Sequence, residues 1–259
     1  MNILNRKKLK EVHYDSFKEG QSKGYLDPTR WHYSTPVLNS QILRLIFRYS
    51  KILELFNLIT PLDQISQKKI KILEPGCGPG FLANGLALLG DVWSFDYTPE
   101  AISLAKQLSM GSNIIFFEAD GTRPLQINEL KEKKFDLILM REFHPLARNI
   151  IENPPPAQIV KEYYAILNEG GLIIIEHALP EKIWRGSENV LKISKIIKEF
   201  NGMMFYTFSL HVFLEVHSFV KKYLKIEKFL FLCRLIMPLE RLFCYVTNRA
   251  LSKIIIVKK

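Results

Sequence analysis

The chain has 259 residues, of which 47% are hydrophobic and 24% charged, and its formal net charge is +10. That length is enough to bury a full core, and the high apolar content beside ordinary charge excludes a disordered chain. The three cysteines, Cys77, Cys233 and Cys244, are odd in number and lack Cys-x-x-Cys spacing, which excludes a disulfide framework and a cysteine zinc site.

The opening stretch, Met1 to Lys10, is too poor in apolar residues for a secretion signal. No uninterrupted apolar run reaches the roughly 18 residues of a membrane span, so a cytoplasmic protein is expected. Residues 1–34 alternate polar and aromatic positions, among them Tyr14, Phe17, Tyr25, Trp31 and Tyr33. Thr35-Pro36 then supplies an N-cap and a first-turn proline. Leu38, Ile42, Leu45, Ile46, Tyr49, Leu53 and Phe56 follow at helical spacing, up to a stop at Thr60-Pro61.

From residue 70 strand and helix patterns alternate. Strands are expected at 70–74, 91–96, 113–118, 135–140 and 171–176, and helices at 80–89, 98–108, 123–131 and 156–168. Asn168-Glu-Gly-Gly171 reads as a helix stop with glycine beyond the last turn. Such alternation implies right-handed crossovers and a parallel sheet covered by helices on both faces. After Pro180 the pattern changes. A basic helix is expected at 187–200, another around Leu210 to Val220, a strand at 224–232, a helix from Leu239 to Ala250 and a closing strand at 252–257. The chain therefore divides into an N-terminal lid and helix (1–69), a core (70–181) and a C-terminal part of the same domain with a pocket-building insertion (182–259).

The most informative stretch is Lys71-Ile-Leu-Glu-Pro-Gly-Cys-Gly-Pro-Gly80, a buried strand that turns through Gly76, Gly78 and Gly80 into a helix. Glycine is needed where a backbone turns sharply or lets a ligand lie against it, and the turn into a helix aims N–H groups at that ligand. Three acids close three successive apolar runs: Glu74, Asp96 and Asp120, the last within Ala119-Asp120-Gly121. In a parallel sheet those ends line one edge, and a carboxylate about 20 residues past the glycines is where ribose hydroxyls meet the second strand. The dinucleotide fingerprint Gly-x-Gly-x-x-Gly demands a small residue at position 81, where this chain has Phe81.

Residues 70 to about 180 resemble a class I S-adenosylmethionine-dependent methyltransferase, because Glu74-Pro-Gly-Cys-Gly-Pro-Gly80 matches that family's acidic-x-Gly-x-Gly-x-Gly signature in full. The resemblance implies an α/β fold with a doubly wound, mostly parallel sheet, an N-terminal helical extension and an extended basic, apolar C-terminal segment. It implies S-adenosylmethionine as cofactor and no metal. Glu74 opens the signature, and Gly76, Gly78 and Gly80 would approach the methionine and ribose portions. Asp96 would take both ribose hydroxyls, Tyr97 would pack on the adenine and Asp120 would receive its amino group, with Gly121 and Arg141 as further cofactor contacts. The family closes its sheet with two antiparallel strands, and 224–232 and 252–257 fit those slots. Residues 14–34 would fold over cofactor and substrate as a lid.

Methyl transfer to a hydroxyl or an acidic carbon needs a general base, and histidine is best poised at neutral pH. His144 after the fourth strand and His177 after the fifth are the candidates, with Glu142 and Arg141 as alternative polar contacts. Asn153-Pro-Pro-Pro156 resembles the base-holding motif of nucleic-acid amino-methylating enzymes. It stands about a dozen residues too late for that role, however, and lacks the final aromatic. The acceptor expected is a small, lipophilic organic molecule. Residues 1–181 hold 21 basic and 21 acidic side chains, whereas residues 182–259 hold 15 basic and 5 acidic. That asymmetry adds peripheral contact with an anionic membrane surface as an expectation and leaves RNA methylation as an alternative. A second alternative is a catalytically inactive cofactor-binding module acting through a partner.

Overall fold

The structure, a computed structural model, describes residues 45–46, 48–50, 52–59, 69–109, 113–147, 154–178, 199–200, 202–207 and 252–259. The expected lid at 14–34, the strand at 224–232, the helix from Leu239 to Ala250, nearly all of the basic helix at 187–200, and Asn153 lie outside the described residues.

Seven strands form one sheet: β1 (Ile70–Pro75), β2 (Gly90–Asp96), β3 (Ile114–Glu118), β4 (Phe135–Arg141), β5 (Leu167–Ala178), β6 (Met203–Thr207) and β7 (Ser252–Lys258). The order across the sheet is β3-β2-β1-β4-β5-β7-β6. The first five strands pair parallel, while β7 runs antiparallel to both β5 and β6. The chain enters at β1, steps outward to β3 and returns past β1 to β4, so the order reverses beside β1. Ligands of such sheets sit in the crevice outside the strand ends at that reversal.

Strand side chains alternate between two cores. On one face Ile70, Ile72, Val92, Leu137, Leu139, Leu172 and Ile174 pack with Ile254 and Ile256. They are covered by Leu45, Ile46, Tyr49 and Leu53 of the leading helical residues, by α1 (Phe81–Leu86) and by α2 (Pro99–Leu108). On the other face Leu73, Phe95, Ile138, Met140, Ile173, Ile175 and Val257 meet α4 (Pro156–Ala165), which follows the short α3 (His144–Ala147). The central strands are apolar on both sides, as expected of a sheet sandwiched by helices.

Three elements differ from the sequence expectation. Residues 123–131 form two 3₁₀ turns, Pro124–Gln126 and Asn128–Leu130, in place of a helix. Helix α4 ends at Ala165, and Asn168 to Gly171 belong to β5. The pairing of β5 with β4 jumps there, from Leu167 opposite Phe135 to Leu172 opposite Leu137, with Gly170 at φ 76°. The glycines thus serve an irregular strand entry rather than a helix stop. The antiparallel strands are 252–258, close to the expected 252–257, and Met203–Thr207. Among the described residues no helix is long and apolar enough to cross a membrane.

Candidate active site

The turn after β1 is built by its own hydrogen bonds. The N–H groups of Gly76 and Cys77 both donate to the Phe95 carbonyl, at 2.8 and 3.0 Å. Gly78 N–H donates to Asp96 Oδ2 at 3.0 Å, and Gly80 N–H donates to the Cys77 carbonyl at 3.1 Å. All three glycines have positive φ (75°, 52° and 75°), the region L side chains avoid. Their surroundings differ. A Cβ on Gly80 would fall 2.8 to 2.9 Å from Phe116 and Ala105, so this glycine lets α1 close on β3 and α2. Among the described residues a Cβ on Gly78 would meet nothing within 4 Å.

Asp96 ends β2 and is buried. Its Oδ1 accepts the Thr98 N–H at 2.9 Å and its Oδ2 the Gly78 N–H. A carboxylate offers about four acceptor sites, so each oxygen retains capacity for one more donor. Asp120 Oδ1 accepts the Thr122 N–H at 2.9 Å and so turns the chain beyond β3.

Between these ends lies a partly open cleft, whose empty volume with its share of open solvent is about 400 Å³. Gly76, Asp96, Tyr97, Asp120 and Gly121 line it, together with Phe95, Ala119, Glu142, Phe143 and Pro145. Phe143 makes the floor. Its ring lies 3.1 Å from where a Gly76 Cβ would stand and 2.8 Å from where a Gly121 Cβ would stand. Tyr163 meets that ring edge-on at a 6.1 Å centroid separation, and its hydroxyl donates to the Gly121 carbonyl at 2.9 Å. Glu142 takes a positive φ of 51°, and its N–H donates to the Glu176 carbonyl at 2.9 Å. Backbone strain at a non-glycine residue is often found at functional sites, and here it turns the chain out of β4 along the cleft wall.

Glu74, Gly78, Gly80 and Arg141 stand outside the lining. Glu74 lies buried beside the turn and accepts a 2.6 Å hydrogen bond from the Ser94 hydroxyl. Burial lifts its carboxyl from an ordinary 4.5 to about 7, against the opposing effects of the Ser94 hydrogen bond and the Arg141 charge, while Asp96 pushes the same way as burial. Burial, then the nearby Glu74 and Asp96, push the Cys77 thiol well above its ordinary value, so it is held as an inert thiol. Arg141 is exposed at the end of β4. His144 is the first residue of α3, and His177 lies in β5 opposite Lys253; both side chains lie outside the described residues.

A second polar cluster adjoins the cleft. Glu176 accepts from Arg48 Nη1 at 3.2 Å through Oε1 and from the Tyr49 hydroxyl through Oε2, all three side chains being buried. Burial and the Glu176 charge push the Tyr49 phenol well above its ordinary value, which keeps it a donor. Sequence reading missed Phe143 and this cluster. Phe143 could have been found as the aromatic two residues past the end of β4, whereas nothing local marks the Tyr49–Glu176 partnership.

The electrostatics select a ligand class. Three acids (Asp96, Asp120 and Glu142) line the cleft, and none of its described lining residues is basic. The turn's N–H groups at Gly76, Cys77, Gly78 and Gly80 are all committed within the protein, one of them to a carboxylate. None of these four N–H groups is left to meet a pyrophosphate. A cationic ligand with hydroxyl donors suits the cleft. Among the described residues no group of three or more His, Cys, Asp or Glu side chains could hold a metal.

The protein family described as a methyltransferase domain matches residues 66–213. No curated protein matches the sequence. By fold, the chain is similar to the plantazolicin methyltransferase BpumL in complex with SAH, with a TM-score of 0.52 and 16% identity over 99% of each chain. The same enzyme with a monoazolic desmethylPZN analog and SAH gives a TM-score of 0.52 and 15% identity, again over 99% of each chain. Magnesium protoporphyrin IX methyltransferase (ChlM) from Synechocystis PCC 6803 with bound SAM gives a TM-score of 0.44 and 18% identity over 66% of this chain and 72% of that one.

Proposed function

The chain belongs to the methyltransferase domain family, and on that premise we propose that it methylates a small, lipophilic organic acceptor through the cleft at the ends of β1 to β4. It is an S-adenosylmethionine-dependent methyltransferase. Bound S-adenosylmethionine supplies a methyl group on a cationic sulfur. The observation that carries the assignment to this cleft is its acid lining beside the glycine turn that closes β1.

In this reading Asp96 uses the spare capacity of its two carboxylate oxygens for two ribose hydroxyls. Tyr97 and Phe143 flank the adenine, and Asp120 accepts from its amino group. Gly78, over whose Cα no described residue stands within 4 Å of a Cβ, lets the ligand lie against the backbone. Arg141 serves as a further polar contact. Holding donor and acceptor in line supplies most of the acceleration, because the sulfonium is already activated. His144, then His177, take the acceptor's proton where it has one to lose.

The full-length similarity to a methyltransferase acting on plantazolicin supports an organic acceptor over a polynucleotide. Incubating the enzyme with methyl-labelled S-adenosylmethionine and a cell extract tests this. Label in the organic-extractable fraction is expected, and label confined to RNA would overturn the acceptor class. Loss of transfer in both His144→Ala and His177→Ala, with cofactor affinity unchanged, is expected if these are the bases. Full turnover in both would remove them from that role.

A further inference from the structure

Tyr163 of α4 is fully buried, in the same apolar core as Phe95 and Phe143 of the cleft. A phenylalanine would fill that volume with no polar atom to satisfy, whereas a buried tyrosine hydroxyl needs a partner. It finds one 42 positions earlier in the chain, donating to the Gly121 carbonyl at 2.9 Å. Burial, then the Asp120 charge, then Glu162, push the phenol well above its ordinary value, so it stays a donor through neutrality. Its ring also meets the Phe143 ring at 6.1 Å and 86°, edge to face. One side chain from behind the cleft thus holds two residues that line it.

Those two residues are packed on each other. A Cβ on Gly121 would stand 2.8 Å from the Phe143 ring and 3.0 Å from the Phe95 ring. Gly121 has no side chain with which to anchor itself, and the link from β3 to β4 holds two 3₁₀ turns in place of a helix that could seat the strand end. Asp120, next along the chain, lines the cleft with a carboxylate whose aim follows the backbone that carries it. Its hydrogen bond from the Thr122 N–H is internal to this loop. The Ala119 N–H, donating to the Asp96 carbonyl at 3.0 Å, ties the start of the loop to β2, and Tyr163 ties its far side to α4.

Resting on Asp120 as the acceptor for the adenine amino group, we infer that Tyr163 is a positioning residue for base recognition. It acts through the Gly121 carbonyl and the Phe143 ring, which together fix the Asp120 carboxylate over the floor of the cleft. A fixed carboxylate rewards a base that offers an amino donor and penalises one that offers a carbonyl, because two acceptors then face each other with no proton between them. A carboxylate on a looser loop turns aside from the wrong base and gains less from the right one. The hydroxyl of Tyr163 therefore sets the preference for adenine.

The test is calorimetric titration of S-adenosylhomocysteine and S-inosylhomocysteine, which has a carbonyl in place of the 6-amino group, into the wild type and Tyr163→Phe. The variant keeps the ring against Phe143 and removes only the donor. The wild type is expected to favour the adenine ligand by at least about tenfold, and Tyr163→Phe to lower that ratio about fivefold through the adenine ligand alone. A merely structural role would weaken both ligands equally. That result, or no change in either affinity, or a wild type indifferent to the base, overturns the proposal and leaves the cofactor assignment standing. If the variant does not melt cooperatively, amide exchange of the ligand-free wild type decides. Residues 119–122 should exchange as slowly as β3, and free exchange there overturns the proposal. Binding of neither ligand by folded wild-type protein overturns the cofactor reading, and the proposal with it.

Discussion

Gly78 and Gly80 look equivalent in sequence, yet among the described residues a Cβ would meet nothing within 4 Å at the first and Phe116 at 2.8 Å at the second. Gly80→Ala should therefore lose about 2–5 kcal/mol, from left-handed strain plus overpacking, measured by urea unfolding. Gly78→Ala should lose only about 1–2 kcal/mol of stability and yet weaken S-adenosylmethionine binding at least tenfold by calorimetry. Glu74 makes a pH-dependent prediction. Its folded carboxyl titrates near 7 rather than 4.5, so the folded state holds the proton more tightly than the unfolded chain. The associated stability is fully present below pH 4.5 and is lost as pH rises through about 7. Glu74→Gln, an isostere of the protonated form, should gain on the wild type by roughly 3 kcal/mol between pH 4.5 and 8 in unfolding experiments. The acids and glycines were legible in the sequence because strand ends and tight turns leave local marks. Phe143 was not, because its place beneath Gly76 and Gly121 is a contact between distant strand ends.

Among the elements, the leading helical residues pack on the sheet through Leu45, Ile46, Tyr49 and Leu53, as their spacing predicts. Their charged anchor is another matter. Arg48 and Tyr49 reach Glu176 across 128 and 127 positions, a distance no periodicity reveals. Removing one member strands a buried charge, so Glu176→Ala should lose about 3–5 kcal/mol. The triple variant Arg48→Met, Tyr49→Phe, Glu176→Leu should recover most of that loss, because apolar packing replaces the ion pair at little net change. Thermal unfolding of the single and triple variants checks both statements, and a triple variant as unstable as the single one would contradict the packing argument. Residues 123–131 form two 3₁₀ turns in place of the expected helix, Pro124 opening the first and Asn128 the second. The strand entry at Asn168 to Gly171 was hidden by glycines that serve an irregular pairing as readily as a helix stop.

At the scale of the molecule, the five parallel strands and their crossovers were legible, since strand and helix periods alternate cleanly from residue 70. The antiparallel end was legible in part. Residues 252–258 form β7 close to the expected bounds, but the edge strand 203–207 was concealed inside a long apolar run that offered no turn signal at Thr207. β7 sits between β5 and β6, with Ile254 to Val257 buried, so a chain ending at residue 251 should fail to fold, as judged by loss of a cooperative melting transition. The sheet order puts the reversal beside β1, and that single topological fact gathers the glycine turn, Asp96, Asp120 and Glu142 around one cleft. The measurement with most leverage is calorimetric titration of S-adenosylmethionine into the wild-type protein and into Asp96→Asn, which retains one acceptor oxygen for the backbone. The wild type is expected to bind in the micromolar range, and the variant at least tenfold more weakly while still unfolding cooperatively, at a melting temperature lowered by the loss of one of its two backbone N–H acceptors. Equal binding by the two would place the cofactor elsewhere, and no binding by well-folded wild-type protein would contradict the cofactor assignment itself.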